Sequence, residues 1–527
     1  MSPLTRRRFL AGGAAPVILR ARQTQRPNVV LIITDDQGYG DLSLHGNPHL
    51  KTPQIDRIAT EGVRFTQFQV SPVCSPTRAS LMTGRYNYRT GVVDTYLGRS
   101  MMYPDEVTLA EVLARAGYRT GLFGKWHLGD NYPMRPIDQG FQVALCHKGG
   151  GIGQPSDPPG NHYFDPVLQD NGKPVRVKGY STDIFFERAL GFIESSRAQP
   201  FFAYIATNAP HTPLEVSEEL AAPYRARGLD ETTAKIYGMV KNIDDNTGRL
   251  LDHLARLGLE QNTIVIFLTD NGPQQQRFNA GMRGLKGSVY QGGIRVPFFL
   301  RWPAVVAPGK QVETIAAHID VFPTLLEACG IALPAGLRID GRSLLPLIRG
   351  RQPVWPERTL FTQWHRGDQP EPFRNCAVRT SRYKLVDGKQ LYDLAADPAE
   401  QHDLAASNPK LVASLRAAYE KWFADVSSTR GYAPPRIYIG TPHENPVILT
   451  RQDWRGPKAS WEETGLGYWE VDVRTGGPYE IVLRLFPAPA AGKARFRLNN
   501  ADLEQPIAAG ATECRFSPVG LQAGPGR

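Results

Sequence analysis

Asn28-Val29-Val30-Leu31-Ile32-Ile33-Thr34 is a continuous apolar run rich in β-branched residues. A strand buried on both faces of an α/β sheet reads this way, because no alternate residue has to face water. The run stops at Asp35-Asp36-Gln37-Gly38, which sets two adjacent carboxylates at the strand's carboxyl end. A second run of the same kind, Thr263-Ile264-Val265-Ile266-Phe267-Leu268-Thr269, ends in Asp270-Asn271-Gly272. In open α/β sheets ligands bind outside the carboxyl ends of strands. Four oxygen-bearing side chains facing one point there suit a hard divalent cation, Ca²⁺ or Mg²⁺. Either cluster alone reads equally as a helix cap or a turn. Together, on two buried strands, they favour a metal.

Between these strands the chain alternates helix and strand. Thr108 to Ala116 sets Leu109, Val112, Leu113 and Ala116 on one helical face, with Gly117 at the stop position. Arg119 to Phe123 follows as a strand whose end carries Gly124-Lys125-Trp126-His127-Leu128-Gly129. Further upstream, Cys74-Ser75-Pro76-Thr77-Arg78 leads into a short helix closed by Gly84, with Pro76 in its first turn. On its own the pentapeptide is an ordinary turn into a helix. Residue 74 would nevertheless lie at the helix amino terminus, where free N–H groups and the macrodipole attract anions.

A chain of 527 residues is too long for one small core and predicts two or three structural units. With 41% hydrophobic and 21% charged residues it reads as globular, and no apolar run is long enough to span a bilayer. The net charge is +10, but half of that excess sits on Arg6, Arg7, Arg8, Arg20 and Arg22, in a segment without acids. The modest remainder is compatible with a polyanionic substrate and equally with an Arg-rich composition that implies no partner. No block of basic and aromatic residues points to nucleic acid. The five cysteines, at 74, 146, 329, 376 and 514, are far apart and odd in number, so neither a disulfide framework nor a zinc pair emerges. Thr5-Arg6-Arg7-Arg8-Phe9-Leu10, followed by the short apolar stretch Ala11 to Leu19, resembles a twin-arginine export signal. Export by that machinery to a bacterial periplasm or beyond is expected, with Ala21 as a cleavage point.

C-x-P-x-R is the pattern in which a cysteine is oxidised to Cα-formylglycine, an aldehyde residue of type I sulfatases, and Cys74 to Arg78 match it. The extension Leu81-Met82-Thr83-Gly84-Arg85 and the run Gly117 to Gly129 also match that family. So do Ala209-Pro210-His211-Thr212-Pro213, Thr269-Asp270-Asn271-Gly272 and Gly284-Leu285-Lys286-Gly287, all in the family's order. Over roughly residues 26–430 the chain resembles a type I sulfatase of the arylsulfatase class, in the alkaline phosphatase superfamily. Thr77 departs from the family's usual serine and keeps a hydroxyl. The resemblance implies an α/β fold with an alkaline-phosphatase-like mixed sheet flanked by helices. It also implies that Asp35, Asp36, Asp270 and Asn271 bind the cation, with the modified Cys74 as a further ligand. Calcium is favoured over magnesium by the resemblance; oxygen ligands alone do not choose. Arg78 and Lys125 would hold the formylglycine and neutralise sulfate, His127 would bond its hydrate, and His211 and Lys286 would contact the sulfate and its leaving oxygen.

The implied chemistry explains these residue types. An aldehyde hydrate has two hydroxyls on one carbon. One, deprotonated with help from the metal and Asp270, attacks sulfur and expels the alcohol. The other, giving its proton to His127, lets sulfate leave without water attacking sulfur. A cation lowers the pKa of a ligating hydroxyl, Lys286 and His211 assist the departing oxygen, and Arg78, Lys125 and the helix end stabilise negative charge. The implied enzyme is an exported, metal-dependent sulfuric ester hydrolase acting on aryl or carbohydrate sulfates, activated by a formylglycine-generating enzyme. One alternative is a phosphonate or phosphodiester hydrolase of the same superfamily; the complete Gly124–Gly129 and Lys286 blocks favour sulfate. The other, an inactive sulfated-glycan binder, would have lost a ligand or the nucleophile, and none is missing. Substrate choice is expected in the loops Gly149 to Gly160 and Gln274 to Ala280.

Beyond the core, Cys376 to Thr380, Tyr383 to Val386 and Gln390 to Leu394 read as strands and Leu411 to Phe423 as a helix, resembling the family's small C-terminal α+β subdomain. From about Pro434 the texture changes to a β-rich addition. Tyr468 to Val473, Glu480 to Leu485 and Ala494 to Leu498 alternate as strands of one antiparallel sheet, with Gly476-Gly477-Pro478 as a turn. Trp454, Trp461 and Trp469 read as core residues or as stacking platforms for glycan. The expected division is a signal at 1–25, a catalytic α/β domain at 26–350, the subdomain at 351–433 and a minimal or incomplete β-rich domain at 434–527.

Overall fold

The computed structural model describes residues 26–351 and 354–527, so the expected export signal lies outside the described residues. A ten-stranded mixed sheet forms the centre. Its order is Lys310–Val312, Val63–Phe65, Phe298–Arg301, Thr263–Thr269, Asn28–Thr34, Phe201–Ala206, Arg119–Lys125, Val143–His147, Val167–Asp170 and Lys173–Arg176. The five strands from Thr263–Thr269 to Val143–His147 run parallel, and antiparallel neighbours flank them on both sides. The apolar runs Asn28–Thr34 and Thr263–Thr269 are adjacent, with Val30 opposite Val265. Both strands have the expected bounds, and every residue in them is buried.

Alternation along Asn28–Thr34 divides the interior into two cores. Val29, Leu31 and Ile33 pack with Leu81, Met82, Leu113 and Phe322 on one face. Val30 and Ile32 pack with Phe186, Ile193, Ile243 and Leu250 on the other. Each fully buried Val, Leu or Ile contributes about 1.5–3 kcal/mol, so the central strands carry much of the sheet's stability.

Local chemistry fixes the elements that frame the strand ends. Thr108 accepts from the Glu111 N–H, and Glu111 accepts from the Thr108 N–H, a reciprocal cap that starts the helix Leu109–Arg115. The following strand runs to Lys125, two residues beyond the expected end. Gly124 permits this: at φ 117°, a Cβ there would lie 1.9 Å from the Ala206 carbonyl oxygen, so only a bare backbone lets the strands close up. The helix Cys74–Thr83 starts two residues before Pro76, whose missing N–H falls among donors that have no partner in a first turn. Gly84, at φ 68°, ends it as expected.

Leu360–Gln363, Cys376–Arg379, Tyr383–Val386 and Gln390–Asp393 form an antiparallel sheet. The helix Pro409–Ser427, longer than expected at both ends, lays Tyr419 and Trp422 in a core shared with Tyr86 and Tyr88. Beyond residue 434 the structure corrects the single antiparallel sheet. Val471–Val473 lies between Ile437–Ile439, parallel to it, and Gly524–Gly526. Gly477–Arg484 pairs with Glu513–Leu521, and Gly492–Leu498 with Ala501–Ile507. Gly477 and Pro478 therefore open a strand instead of forming a turn. The three strands read from sequence pair with others because alternating, half-exposed strands fit many partners. Trp454 is buried, Trp469 Nε1 donates to Thr450 O at 2.7 Å, and Trp461 packs edge-on against Tyr96. All five cysteines are buried and unpaired. No helix among the described residues is long and apolar enough to cross a membrane.

Candidate active site

The carboxyl ends of the parallel strands converge on the amino terminus of the helix Cys74–Thr83. Asp35 and Asp36 follow the first strand, Lys125 ends Arg119–Lys125, and Asp270 and Asn271 follow Thr263–Thr269. His211 lies in the turn after Phe201–Ala206, and Lys286 comes from the loop beyond Asn271. One ligand atom each from Asp35, Cys74 and Asp270 lies within 4.8 Å of the others, as do atoms of Asp35, Asp36 and His211. The structure thus brings the sequence-predicted residues into one buried cluster.

Ion pairs knit it together. Lys125 Nζ is 2.6 Å from Asp35 Oδ2, with both side chains fully buried. Arg78 donates from Nη2 (2.7 Å) and Nε (3.1 Å) to Asp270 Oδ2 and from Nη1 to Lys125 O. These bonds tie the guanidinium to the Asp270 carboxylate and to the end of the strand Arg119–Lys125. Lys286 Nζ sits 2.7 Å from Asp36 Oδ1, Asn271 Nδ2 donates to the same oxygen at 2.8 Å, and His211 Nε2 is 3.8 Å from Asp36 Oδ2. Burial opposes ionisation of Asp36, but the Lys286 ammonium outweighs it and holds the carboxyl well below its ordinary range. Burial and the charge of Asp35 push Asp270 up to about 6 despite Arg78, and burial raises the Cys74 thiol.

The donor set fits a hard cation. Asp35 Oδ1 and Asn271 Oδ1 are buried and have no hydrogen-bond partner. Orphaned buried oxygens are costly and rare, and a cation coordinated by Asp35, Asp36, Asp270 and Asn271 would satisfy both.

The histidines are held in defined tautomers. Nε2 of His127 meets the Thr95 carbonyl oxygen at 2.7 Å. A carbonyl only accepts, so Nε2 carries the hydrogen and donates it, leaving Nδ1 bare. That Nδ1 is buried and unpartnered. Burial and the charge of Lys125 push the imidazole well below its ordinary pKa, which favours the neutral ring that this geometry also suits. His211 Nδ1 donates to Thr212 O at 2.6 Å, which leaves Nε2 toward Asp36. Asp36 and His127 both occupy the left-handed region, at φ 61° and 60°. Non-glycine residues seldom sit there, and such strain gathers at functional sites.

Three features escaped the sequence reading. A Cβ on Gly150 would lie 2.7 Å from His127 Cε1, and one on Gly151 would lie 3.2 Å from His211 Cε1, so bare backbone packs on both rings. The Gly-rich composition of that loop was the only signal. Arg277, from the stretch expected to choose substrate, is buried beneath the site: Nε donates to Asp41 Oδ1 at 2.8 Å and Nη2 to Asp36 O at 2.9 Å. It braces the turn that carries Asp36. Thr95 contributes only a carbonyl, which no side-chain pattern reveals.

Residues 27–331 match the Sulfatase family, and residues 285–424 match the family described as N-sulphoglucosamine sulphohydrolase, C-terminal. Human arylsulfatase A is 34% identical over 424 residues, covering 74% of this chain and 81% of that protein. Human N-acetylgalactosamine-6-sulfatase is 34% identical over 378 residues, covering 65% and 69%. Among solved structures, Ps i-CgsB in complex with k-i-k-neocarrahexaose superposes with a TM-score of 0.71 at 29% identity, covering 77% of this chain and 95% of that one. With an alkaline-phosphatase-like sheet and these sulfatase relatives, the chain belongs to the type I sulfatases and is a sulfuric ester hydrolase.

Proposed function

We propose that the hydrolysis of sulfate esters starts from Cys74, converted to formylglycine, beside a divalent cation, Ca²⁺ in preference to Mg²⁺. The observation that carries this reading is the buried meeting of Cys74 with Asp35, Asp36, Asp270 and Asn271, two of whose oxygens have no other partner. Those four residues would hold the cation, with residue 74 as a further ligand. A bound cation would lower the pKa of a ligating hydroxyl and stabilise charge on the transferring sulfate. The aldehyde hydrate would supply the attacking hydroxyl and the second hydroxyl that a thiol lacks.

The chain's own residues divide the remaining work. Arg78 holds the Asp270 carboxylate, which accepts the nucleophile's proton. Lys125 and the free N–H groups at the start of Cys74–Thr83 attract the sulfate. Lys286 brings a proton and positive charge to the departing oxygen. His211, with Nδ1–H committed to Thr212, offers Nε2 to the same space. His127 takes the proton of the release step at its bare Nδ1 while Thr95 O keeps the ring oriented.

The named relatives support a sulfated carbohydrate as substrate: one is an N-acetylgalactosamine-6-sulfatase, and one solved relative holds a neocarrahexaose. The chain divides in this reading into an export signal at 1–25, a catalytic domain at 26–350, a subdomain at 351–433 and a β-rich unit at 434–527. The twin-arginine motif supports export to the periplasm or beyond, after a formylglycine-generating enzyme has acted on Cys74 in the cytoplasm. Mass spectrometry of the peptide containing residue 74, from protein made in its native host, tests the reading. The aldehyde or its hydrate is expected, and thiol alone would sink it. Sulfate release from a panel of defined sulfated saccharides, beside an aryl sulfate and an aryl phosphonate, names the substrate class; preference for the phosphonate would overturn the sulfate assignment.

A further inference from the structure

The loop Asp94 to Ser100 forms the wall behind His127 and has no regular secondary structure of its own. Its hold on the histidine is a single backbone oxygen, Thr95 O, at 2.7 Å from Nε2. That same oxygen accepts a second hydrogen bond, from Gln452 Nε2 at 3.0 Å. Gln452 Nε2 also donates to Ser100 Oγ at 3.1 Å, and the Gln452 carbonyl accepts from Gly98 N at 3.0 Å. Three residues on, Arg455 Nη1 donates to Leu97 O at 2.6 Å. The glutamine is 1% exposed, separated from Thr95 by 357 residues, and outside both matched family segments, 27–331 and 285–424.

We infer that Gln452 is a positioning residue for His127, so that the β-rich unit beyond residue 434 completes the active site. A carbonyl oxygen has two lone pairs. At Thr95 one accepts from the histidine and the other from the glutamine, which fixes the carbonyl's direction and, through it, the ring's tilt and tautomer. Without the glutamine the carbonyl can swing with its irregular loop, and His127 Nδ1 moves with it. Small misplacements of a proton-transfer group cost rate more than binding. The substrate-facing cations, Lys125 and Lys286, are held by Asp35 and Asp36 and do not depend on this loop.

This inference rests on the reading of His127 as the proton acceptor, and a double-mutant cycle separates the two. Full-length Gln452→Met, His127→Ala and the double variant, made with the modified residue 74, are assayed with nitrophenyl sulfate. Gln452→Met is expected to lower kcat about ten-fold with KM within about two-fold, and to have no further effect on kcat in the His127→Ala background. An equal loss in both backgrounds, or no loss in either, overturns the inference. If His127→Ala retains full kcat, the assignment of the base fails first and the inference falls with it. Gln452→Glu, of the same length but with an oxygen where the donor stood, is the second variant and is expected to behave as Gln452→Met. Loss of the fold in both variants, read from the thermal midpoint, would make Gln452 a structural residue and overturn the inference.

Discussion

Around Cys74 the pairs Arg78–Asp270 and Lys125–Asp35 are fully buried, whereas beyond residue 434 Arg495–Asp502 and Arg515–Glu480 stand about half in water. The first set is costly to bury and tolerates the loss of no partner. The second is screened by solvent and holds little together. Charge at the sheet end is gathered around one buried point, while charge on the β-rich unit lies along exposed strands. The two regions nevertheless meet, because Met101 and Met134 of the catalytic region enter the core around Val471 and Phe516.

The sharpest way to break this contrast lies at residue 74. Cys74→Ala should lower turnover of an aryl sulfate by at least ~10³-fold. Its thermal midpoint should stay near that of the parent, because one small buried side chain is replaced by a smaller one and no ion pair is opened. Retained hydrolysis would mean that the convergence around it is structural. Next in size, Arg78→Met keeps the volume but leaves Asp270 without its cation, a loss of about 3–5 kcal/mol in urea unfolding. A change under 1 kcal/mol would show that neighbours or solvent already satisfy that carboxylate.

A smaller effect tests the seam between the regions. Asp453 is buried near Asp130 and Lys148, and its Oδ1 has no hydrogen-bond partner. Burial and the Asp130 charge push its carboxyl well above the ordinary 3.8. A raised folded-state pKa stabilises fully below the unfolded value and is lost as pH rises through the folded one. Asp453→Asn should therefore gain stability relative to the parent as pH rises from about 4 toward neutrality. Parallel stability curves for the two proteins across that range would show that Asp453 does not titrate there. Smallest of all, Arg515→Ala on the exposed sheet should leave the unfolding midpoint unchanged. A measurable drop would mean that the β-rich unit relies on its surface pairs.

Legibility follows the same divide. Asn28–Thr34 and Thr263–Thr269 were readable to the residue, because a strand buried on both faces admits apolar residues and little else. The acidic ends, the Cys74 pentapeptide and the histidine and lysine blocks were readable because chemistry demands particular side chains. The sheets beyond residue 434 were not: Gly477–Arg484 alternates half-buried with exposed positions and has no buried one, and in its partner Glu513–Leu521 the alternation breaks at Ser517-Pro518 and does not say which strand it pairs with. The place of Arg277, within the stretch expected to choose substrate, was not legible because an arginine in a loop carries no mark of being buried under a turn. Thr95 and Gln452 act through a carbonyl and an amide contributed by segments far apart in the chain, and pairing at that distance has no local signature.

Gly150 and Gly151 set a limit on how this enzyme can diversify. A side chain at Gly150 would collide with His127 and one at Gly151 would crowd His211, so neither position can grow without shifting an imidazole. Side chains able to vary without touching the imidazoles begin farther out in the loop, at Ile152 and beyond. Two side-chain-free positions thus keep the setting of both imidazoles apart from whatever varies in the rest of the loop.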